Sequence, residues 1–216
     1  MRNKTILGLV SLIMAFASQD AQSKGCGPFW VSAPDGYANV RSSPRVRADN
    51  ILAAVPTGAS IQIISQSQGK WVHIDSPVAG WVATSQIKQG SCPSTGAYDS
   101  GDAAIQHFAR QGAAGDRRSA SVFAKMSKAV DGALAETYAE EITKFAGLNP
   151  TGLLAILNAE SSDVRQTALR LLSFGFGNGN SQECRNFNEA LQKLPASESV
   201  LRDWHKITKR DGICNP

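Results

Sequence analysis

The 216-residue chain carries 22 lysines and arginines against 18 aspartates and glutamates, a formal net charge of +4 at neutral pH, and 42% of its residues are hydrophobic. This excess of positive charge is mild and falls well below that of most proteins that grip a phosphate backbone, so the composition argues against a nucleic-acid partner. The length suits two small domains.

The first residues have the composition of an export signal. Arg2 and Lys4 form a short basic start, and residues 6–17 are an almost unbroken apolar run. About a dozen apolar residues are too few to cross a hydrocarbon layer, which needs about twenty, so we expect a cleaved signal peptide and no stable membrane span. Small residues allow cleavage after Ser23, which we favour, or after Ala17. Residues 1–23 are therefore predicted to be a signal peptide, and the mature chain, with a formal charge of +3, is predicted to be periplasmic.

Four cysteines follow this segment: Cys26, Cys92, Cys184 and Cys214. An even number of cysteines in an exported chain predicts disulfide bonds, and four cysteines can pair in three ways. The sequence contains neither a C-x-x-C pair nor a cluster of His and Cys with zinc-site spacing. We therefore predict no metal ion and no cofactor.

The N-terminal part has the pattern of a small antiparallel β-structure. Between Gly36 and Ile87, short alternating runs such as "SIQIIS" and "KWVHID" are separated by turns rich in Pro, Gly and Ser. Such runs predict strands. In "KWVHID", Trp71, His73 and Asp75 are expected on one face of the sheet because successive side chains of a strand point to opposite faces.

The pattern changes to helices from about Asp102. Seven segments show apolar residues returning every three or four positions, which predicts an all-α part. Asn149 before Pro150, and Ser162 before the next segment, are expected to be N-caps. Residues 175–180, "GFGNGN", predict a break between helices.

These patterns divide the chain into regions. After the signal peptide we predict a β-domain over residues 24–92, a linker rich in Gly, Ser and Pro over 93–101, and an α-helical domain over 102–216. The positive charge is concentrated in the first part, with six basic against three acidic residues between Lys24 and Gly96, whereas the remainder has fourteen of each. Three of the six cations, Arg41, Arg45 and Arg47, lie in the stretch "NVRSSPRVR".

The β-domain resembles the bacterial SH3-like (SH3b) domains of exported proteins. The similarity rests on "NVRS" from Asn39, Pro44, Gly58, "WV" from Trp71 and "GWV" from Gly80, and it covers about residues 36–87. One departure is Ser43, at a position where members often carry glycine. The resemblance implies a five-stranded half-open barrel that serves as a targeting or binding module.

The helical part is not recognised as a member of any family. "SSDVRQTALRLLS" is similar to one helix of a HEAT-like repeat, with Val164, Ala168, Leu171 and Leu172 along one stripe. A single repeat-like segment is a weak signal, because solenoids need about three stacked units. A compact helical bundle and a short HEAT-like stack therefore both stay open.

The resemblance also places a ligand site and one disulfide. In the family, ligands lie near the loop after the first strand, which here runs from Ser42 to Asn50, and Trp71 and Trp81 occupy the family's tryptophan positions. Because the ends of such a barrel lie close together, Cys26 is expected to pair with Cys92, which leaves Cys184 to pair with Cys214.

Within that loop the three arginines are assigned different roles. Arg41 matches the family's own arginine and is predicted to fix the loop by bonding backbone carbonyls. Arg45 and Arg47 are predicted to be exposed and to bind carboxylates through bidentate hydrogen bonds. The predicted ligand-binding residues are therefore Ser42, Arg45, Arg47, Asn50, Trp71 and Trp81.

No catalytic residue is predicted. His73, His107 and His205 do not lie beside a serine or cysteine in a recognisable nucleophile motif, and Glu136 and Glu140 are expected on a solvated helix face. The sequence thus predicts a non-enzymatic, exported binding protein that recognises a cell-wall component, such as a peptidoglycan peptide, or an extracytoplasmic protein. The alternative is a periplasmic inhibitor or immunity-type protein that blocks a cell-wall-active enzyme.

Overall fold

The computed structural model describes residues 28–90, 95–177 and 181–211. The predicted signal peptide lies outside the described residues, as do Cys26 and Cys92. The N-terminal part of the described chain is an antiparallel sheet, and the C-terminal part is helical. The protein is therefore of mixed α+β class, which confirms the coarse fold prediction.

One antiparallel sheet contains all the strands of the described residues. These strands are β1 (Phe29–Val31), β2 (Tyr37–Arg41), β3 (Ile51–Pro56), β4 (Ser60–Gln68), β5 (Trp71–Ser76), β6 (Gly80–Ala83) and β7 (Ile87–Gln89). Their order across the sheet is β3-β2-β6-β5-β4-β1-β7. The sheet has one end at β3 and the other at β7, so it is not closed into a barrel.

The five strands that alternation predicts are present as β2 to β6. In β5, Ile74 is fully buried while Asp75 is exposed, as the predicted alternation requires. Strands β1 and β7 are additional; each has only three residues, too few for a periodic signal, and they pair with each other at one end of the sheet.

All seven predicted helical segments are helices. They are α1 (Thr95–Ala113), α2 (Arg117–Met126), α3 (Gly132–Leu148), α4 (Pro150–Ala159), α5 (Ser162–Phe176), α6 (Gln182–Gln192) and α7 (Ser199–Asp211). Helix α3 packs against α1, α4, α5 and α6. In a repeat stack each unit contacts only its neighbours, so this arrangement favours the compact bundle over the HEAT-like stack.

The predicted helix boundaries are partly right. The Asn149 side chain accepts a hydrogen bond from the Gly152 backbone N–H at 2.9 Å, which confirms the N-cap of α4. The predicted cap at Ser162 is wrong by one position. Ser161 caps α5 through a bond from the Val164 N–H, and Ser162 is the first helical residue.

Helix α5 extends further than predicted. It continues through Gly175 and ends at Phe176, so the break predicted to begin at Gly175 is wrong at its start. A Cβ on Gly175 would lie 2.3 Å from Thr143 Oγ1 and 2.5 Å from the Ala139 carbonyl oxygen. This glycine therefore serves the close approach of α5 to α3 and does not terminate the helix.

Helix α1 begins at Thr95, so residues 95–101, predicted to be linker, are helical. Gly101, part of the composition that suggests a linker, meets the sheet at close range. A Cβ on Gly101 would lie 2.3 Å from the Thr57 carbonyl oxygen. The close packing between helix and sheet requires a glycine at this position. Composition alone does not distinguish such a glycine from one that belongs to a linker.

Sheet and helices share one hydrophobic core. The Tyr37 ring of β2 meets the Phe108 ring of α1 edge to face, with centroids 5.1 Å apart. Helix α2 packs against β3. Buried residues of both parts, including Val55 of the sheet and Phe123 of α2, belong to a single cluster.

Gly101→Ala is expected to lower the free energy of unfolding by about 1–3 kcal/mol, because the new methyl group overpacks against backbone. In an unconstrained helix the same change stabilises by about 1 kcal/mol. The measurement is urea unfolding followed by circular dichroism. The matched control is Gly90→Ala, directly after β7, where the nearest atom to the new Cβ is Trp30 Nε1 at 3.6 Å, an ordinary van der Waals contact. Equal effects in both variants would contradict the close approach of α1 to the sheet.

Cys184 is 1% exposed and disulfide-bonded. Its partner lies outside the described residues, as does Cys214. The pairings Cys184–Cys214 and Cys26–Cys92 remain predictions.

Candidate binding site

The arginine-rich loop, residues 42–50, is fixed by hydrogen bonds from two buried side chains, Arg41 and Asn50. Arg41 Nη1 donates to the Arg47 carbonyl oxygen and, at 2.8 Å, to Asn50 Oδ1. Asn50 Nδ2 donates to Ser43 Oγ and to the Arg45 carbonyl oxygen, both at 3.0 Å. These bonds span the loop, so its backbone is fixed before any ligand arrives.

The predicted role of Arg41 agrees with its geometry. Arg41 is 8% exposed, and burial lowers the pKa of its guanidinium. Its guanidinium donates to a backbone carbonyl oxygen and to an amide oxygen, which is the bonding expected of a residue that fixes the loop. Asn50, predicted to bind ligand, is 7% exposed, and its amide bonds the loop itself.

The other predicted ligand-binding residues of the loop are all exposed, but the two arginines differ in whether their charge is already paired. Ser42, Arg45 and Arg47 are exposed. Arg47 pairs with Asp49 through two bonds, at 3.0 and 2.8 Å, so its charge is locally balanced. Among the described residues Arg45 has no ion-pair partner, and it therefore supplies the loop's uncompensated positive charge.

An aromatic strip, consisting of Trp71, His73 and Trp81, lies beside the base of the loop. Trp81 is opposite Arg41 of β2 on one side and opposite His73 of β5 on the other. The His73 and Trp81 rings meet edge to face at 5.0 Å. Trp71 lies two residues from His73 on the same face, opposite Ala83 and further from the loop. All three rings are half-buried, and each leaves part of its surface open.

Glycine at position 80 is explained by the contact between β6 and the base of the loop. A Cβ on Gly80 would lie 2.6 Å from Val40 Cγ1 and 2.8 Å from the Arg41 carbonyl oxygen. A larger residue would push β6, and with it Trp81, away from β2. The Gly-Trp pair thus places the tryptophan next to the loop anchor.

One residue of this surface was missed by the sequence analysis. Val46, at the tip of the loop, is 79% exposed. A lone valine among polar residues gives no periodic signal, so only the structure shows that it protrudes. It offers an exposed apolar side chain next to the charged Arg45.

A serine, a lysine and a glutamate meet between α2 and the end of α4. Lys125 Nζ lies 2.7 Å from Glu160 Oε1 and 2.6 Å from Ser121 Oγ, which also donates to Glu160 at 2.6 Å. A lysine that activates a serine must accept its proton. Here the ammonium is tied to a carboxylate, which suits a structural link between helices.

A cavity of about 550 Å³ lies between the sheet and the turn before α3, with Ile61, Pro77, Ala129 and Asp131 in its wall. It contains none of the predicted ligand-binding residues. Within the described ranges, no group of three His, Cys, Asp or Glu side chains is arranged to hold a metal ion. Across the same ranges, no helix combines the length and apolarity that a membrane crossing needs.

No protein-family model, curated protein or solved structure matches this chain.

Proposed function

We propose that this protein is an exported, non-catalytic binding protein whose N-terminal part is SH3-like and recognises a cell-wall component or an envelope protein. One observation carries the proposal. The loop of residues 42–50 is fixed by Arg41 and Asn50, and it presents the exposed Val46 together with Arg45, which has no ion-pair partner within the described part of the chain. A rigid surface of this kind loses little conformational entropy when it binds.

The chemistry of the loop favours an acidic ligand. Arg45 offers a planar guanidinium, which binds carboxylates in a bidentate manner. Peptide stems of a bacterial wall and acidic patches of envelope proteins both supply such groups. Trp81 and Trp71 add half-exposed aromatic area along the same sheet face.

The SH3-like assignment is supported by where the motif residues lie. Asn39, Val40 and Arg41 belong to β2, Trp71 opens β5, and Gly80 and Trp81 open β6. These strands are neighbours in the sheet order β2-β6-β5. The periplasmic location rests on the N-terminal signal pattern and on the disulfide of Cys184.

A second candidate is a periplasmic inhibitor or immunity-type protein that blocks a cell-wall-active enzyme. The specific observation in its favour is Val46, which is 79% exposed at the tip of a fixed loop. A protruding, rigid loop can enter the cleft of an enzyme. This candidate predicts one tight protein partner and no affinity for bare wall.

Arg45→Glu is expected to weaken ligand capture about tenfold, because it removes a charge-assisted hydrogen bond and adds repulsion. The measurement is retention of the purified protein on isolated sacculi and, separately, on immobilised envelope extract. Arg47→Glu is expected to have a smaller effect, since Asp49 already balances Arg47.

The matched control is Arg170→Glu, which makes the same charge change at an exposed position of α5. Retention on sacculi supports wall recognition, and capture of a single extract protein without sacculus binding supports the inhibitor. Equal retention of Arg45→Glu and Arg170→Glu, or no retention on either material, would overturn the proposal.

A further inference from the structure

We infer that the cavity between the β1–β2 turn and α1 is a binding site for an aliphatic ammonium group. The site has a volume of about 570 Å³ and is walled by Asp35, Tyr37, Ser100, His107 and Phe108. It is formed by residues outside the loop of residues 42–50, and its ligand has the opposite charge. The inference therefore does not rest on the proposed function of that loop.

Three aromatic rings form one wall of the cavity. Phe108 stands between Tyr37 and His107, with centroid distances of 5.1 and 5.2 Å. The interplanar angles are 88° and 83°, so neighbouring rings are nearly perpendicular. The face of an aromatic ring carries the negative part of its quadrupole, which attracts cations, so a wall built from three rings favours a cation in this open cavity.

Asp35 supplies the negative charge of the site. It is the only Asp, Glu, Lys or Arg residue in the cavity wall. Among the described residues its carboxylate has no ion-pair partner, and it is exposed. Burial and the nearby Asp35 carboxylate together raise the pKa of the Tyr37 hydroxyl, consistent with a carboxylate close to the aromatic wall.

The frame of the cavity is fixed by the Gly36 turn. Gly36 has a φ of +81°, and a Cβ there would lie 2.6 Å from the Ala104 Cβ. Its N–H donates to the Ala33 carbonyl oxygen at 3.1 Å, and its carbonyl accepts from the Thr57 N–H at 2.8 Å. The turn can lie against α1 because residue 36 has no side chain. As a result, Asp35 and the three aromatic rings line the same cavity.

These features select a class of ligand. A carboxylate combined with aromatic faces favours an ammonium cation and disfavours anions. The cavity volume is within the usual range for a small ligand, about 300–1,000 Å³. Two sources offer this chemistry: the lysine-like side chain of a peptide, and a free alkylamine.

The test is a chemical-shift titration of the purified ¹⁵N-labelled protein with butylammonium chloride and, separately, with N-acetyl-lysine methylamide. Saturable shifts are expected at the amides of Gly36 and Ala104, and none with 1-butanol or with sodium chloride at equal ionic strength. Binding of both amines indicates recognition of the ammonium group alone, and binding of the lysine derivative alone indicates that its amide groups contribute. Either outcome supports the site.

Asp35→Asn, which preserves shape and removes the charge, is expected to weaken binding about tenfold. The matched control is Asp75→Asn, an exposed aspartate of β5 outside the cavity wall, which is expected to leave binding unchanged. Phe108→Leu, with folding checked by circular dichroism, removes the central ring and is expected to weaken binding further. Absence of saturable shifts with both amines, or equal affinity of Asp35→Asn and the unaltered protein, would overturn the inference.

Discussion

Asp203→Ala is expected to lower the free energy of unfolding by about 3–5 kcal/mol, because it leaves the Arg165 guanidinium buried without its counter-charge. Arg165 Nε donates to Asp203 Oδ2 at 2.7 Å, and the two side chains are only 9% and 8% exposed. Gln166 donates to the second oxygen of Asp203 at 3.2 Å. The carboxylate thus joins α7 to two residues of α5, and its loss removes a hydrogen-bond acceptor from both Arg165 and Gln166.

The measurement is guanidinium unfolding at equilibrium. The double variant Arg165→Met/Asp203→Leu is expected to recover most of the loss, because it removes both charges and keeps the apolar volume. Asp49→Ala provides the control: its pair with Arg47 is exposed, at 60% and 66%, and is expected to contribute less than about 1 kcal/mol. A loss below about 1 kcal/mol for Asp203→Ala would show that the buried pair does not stabilise the protein as argued.

Local periodicity predicted most of the secondary structure. All seven helical segments and the five alternating strands reflect side chains whose burial repeats along the chain, as in β5 with Ile74 inside and Asp75 outside. The cap at Asn149 was also predictable, because an asparagine side chain can accept a hydrogen bond from a free backbone N–H and the ring of Pro150 fixes the first helical φ. These signals are contained within a few consecutive residues.

Long-range packing was not predictable from the same signals. Gly101 and Gly175 suggested a linker and a break, respectively. Both are helical glycines, and each lies so close to another backbone segment that a Cβ atom would clash with it. Their neighbours in space, Thr57 and Ala139, are distant in sequence. The sequence shows only that a glycine is present, and it does not tell whether that glycine permits close packing or forms a turn.

The candidate binding site shows the same division. The structural role of Arg41 was anticipated. The ion pair between Arg47 and Asp49 could have been anticipated as well, because these opposite charges lie only two positions apart in the sequence. The burial of Asn50 could not, because it depends on how the whole loop closes. Asp35 and Phe108 meet at one cavity only because the β1–β2 turn lies against α1, and nothing in the sequence links them.

Phe123→Ala is expected to lower the free energy of unfolding by about 3–5 kcal/mol through the cavity it leaves in the shared core. Phe123 is fully buried and stacks on Tyr138, with centroids 4.4 Å apart and an interplanar angle of 13°. Phe123→Leu, which retains more of the apolar volume, is the matched control and is expected to have a smaller effect.

The same variant tests whether sheet and helices unfold together. Three tryptophans, Trp30, Trp71 and Trp81, lie in the sheet and one, Trp204, in α7, so fluorescence reports mainly on the sheet while circular dichroism at 222 nm reports on the helices. Because the sheet packs on α1 and α2 within one hydrophobic cluster, we expect Phe123→Ala to shift both transitions equally. A circular-dichroism midpoint that falls while the fluorescence midpoint stays in place would instead show that the N-terminal part folds by itself, as independent domains would.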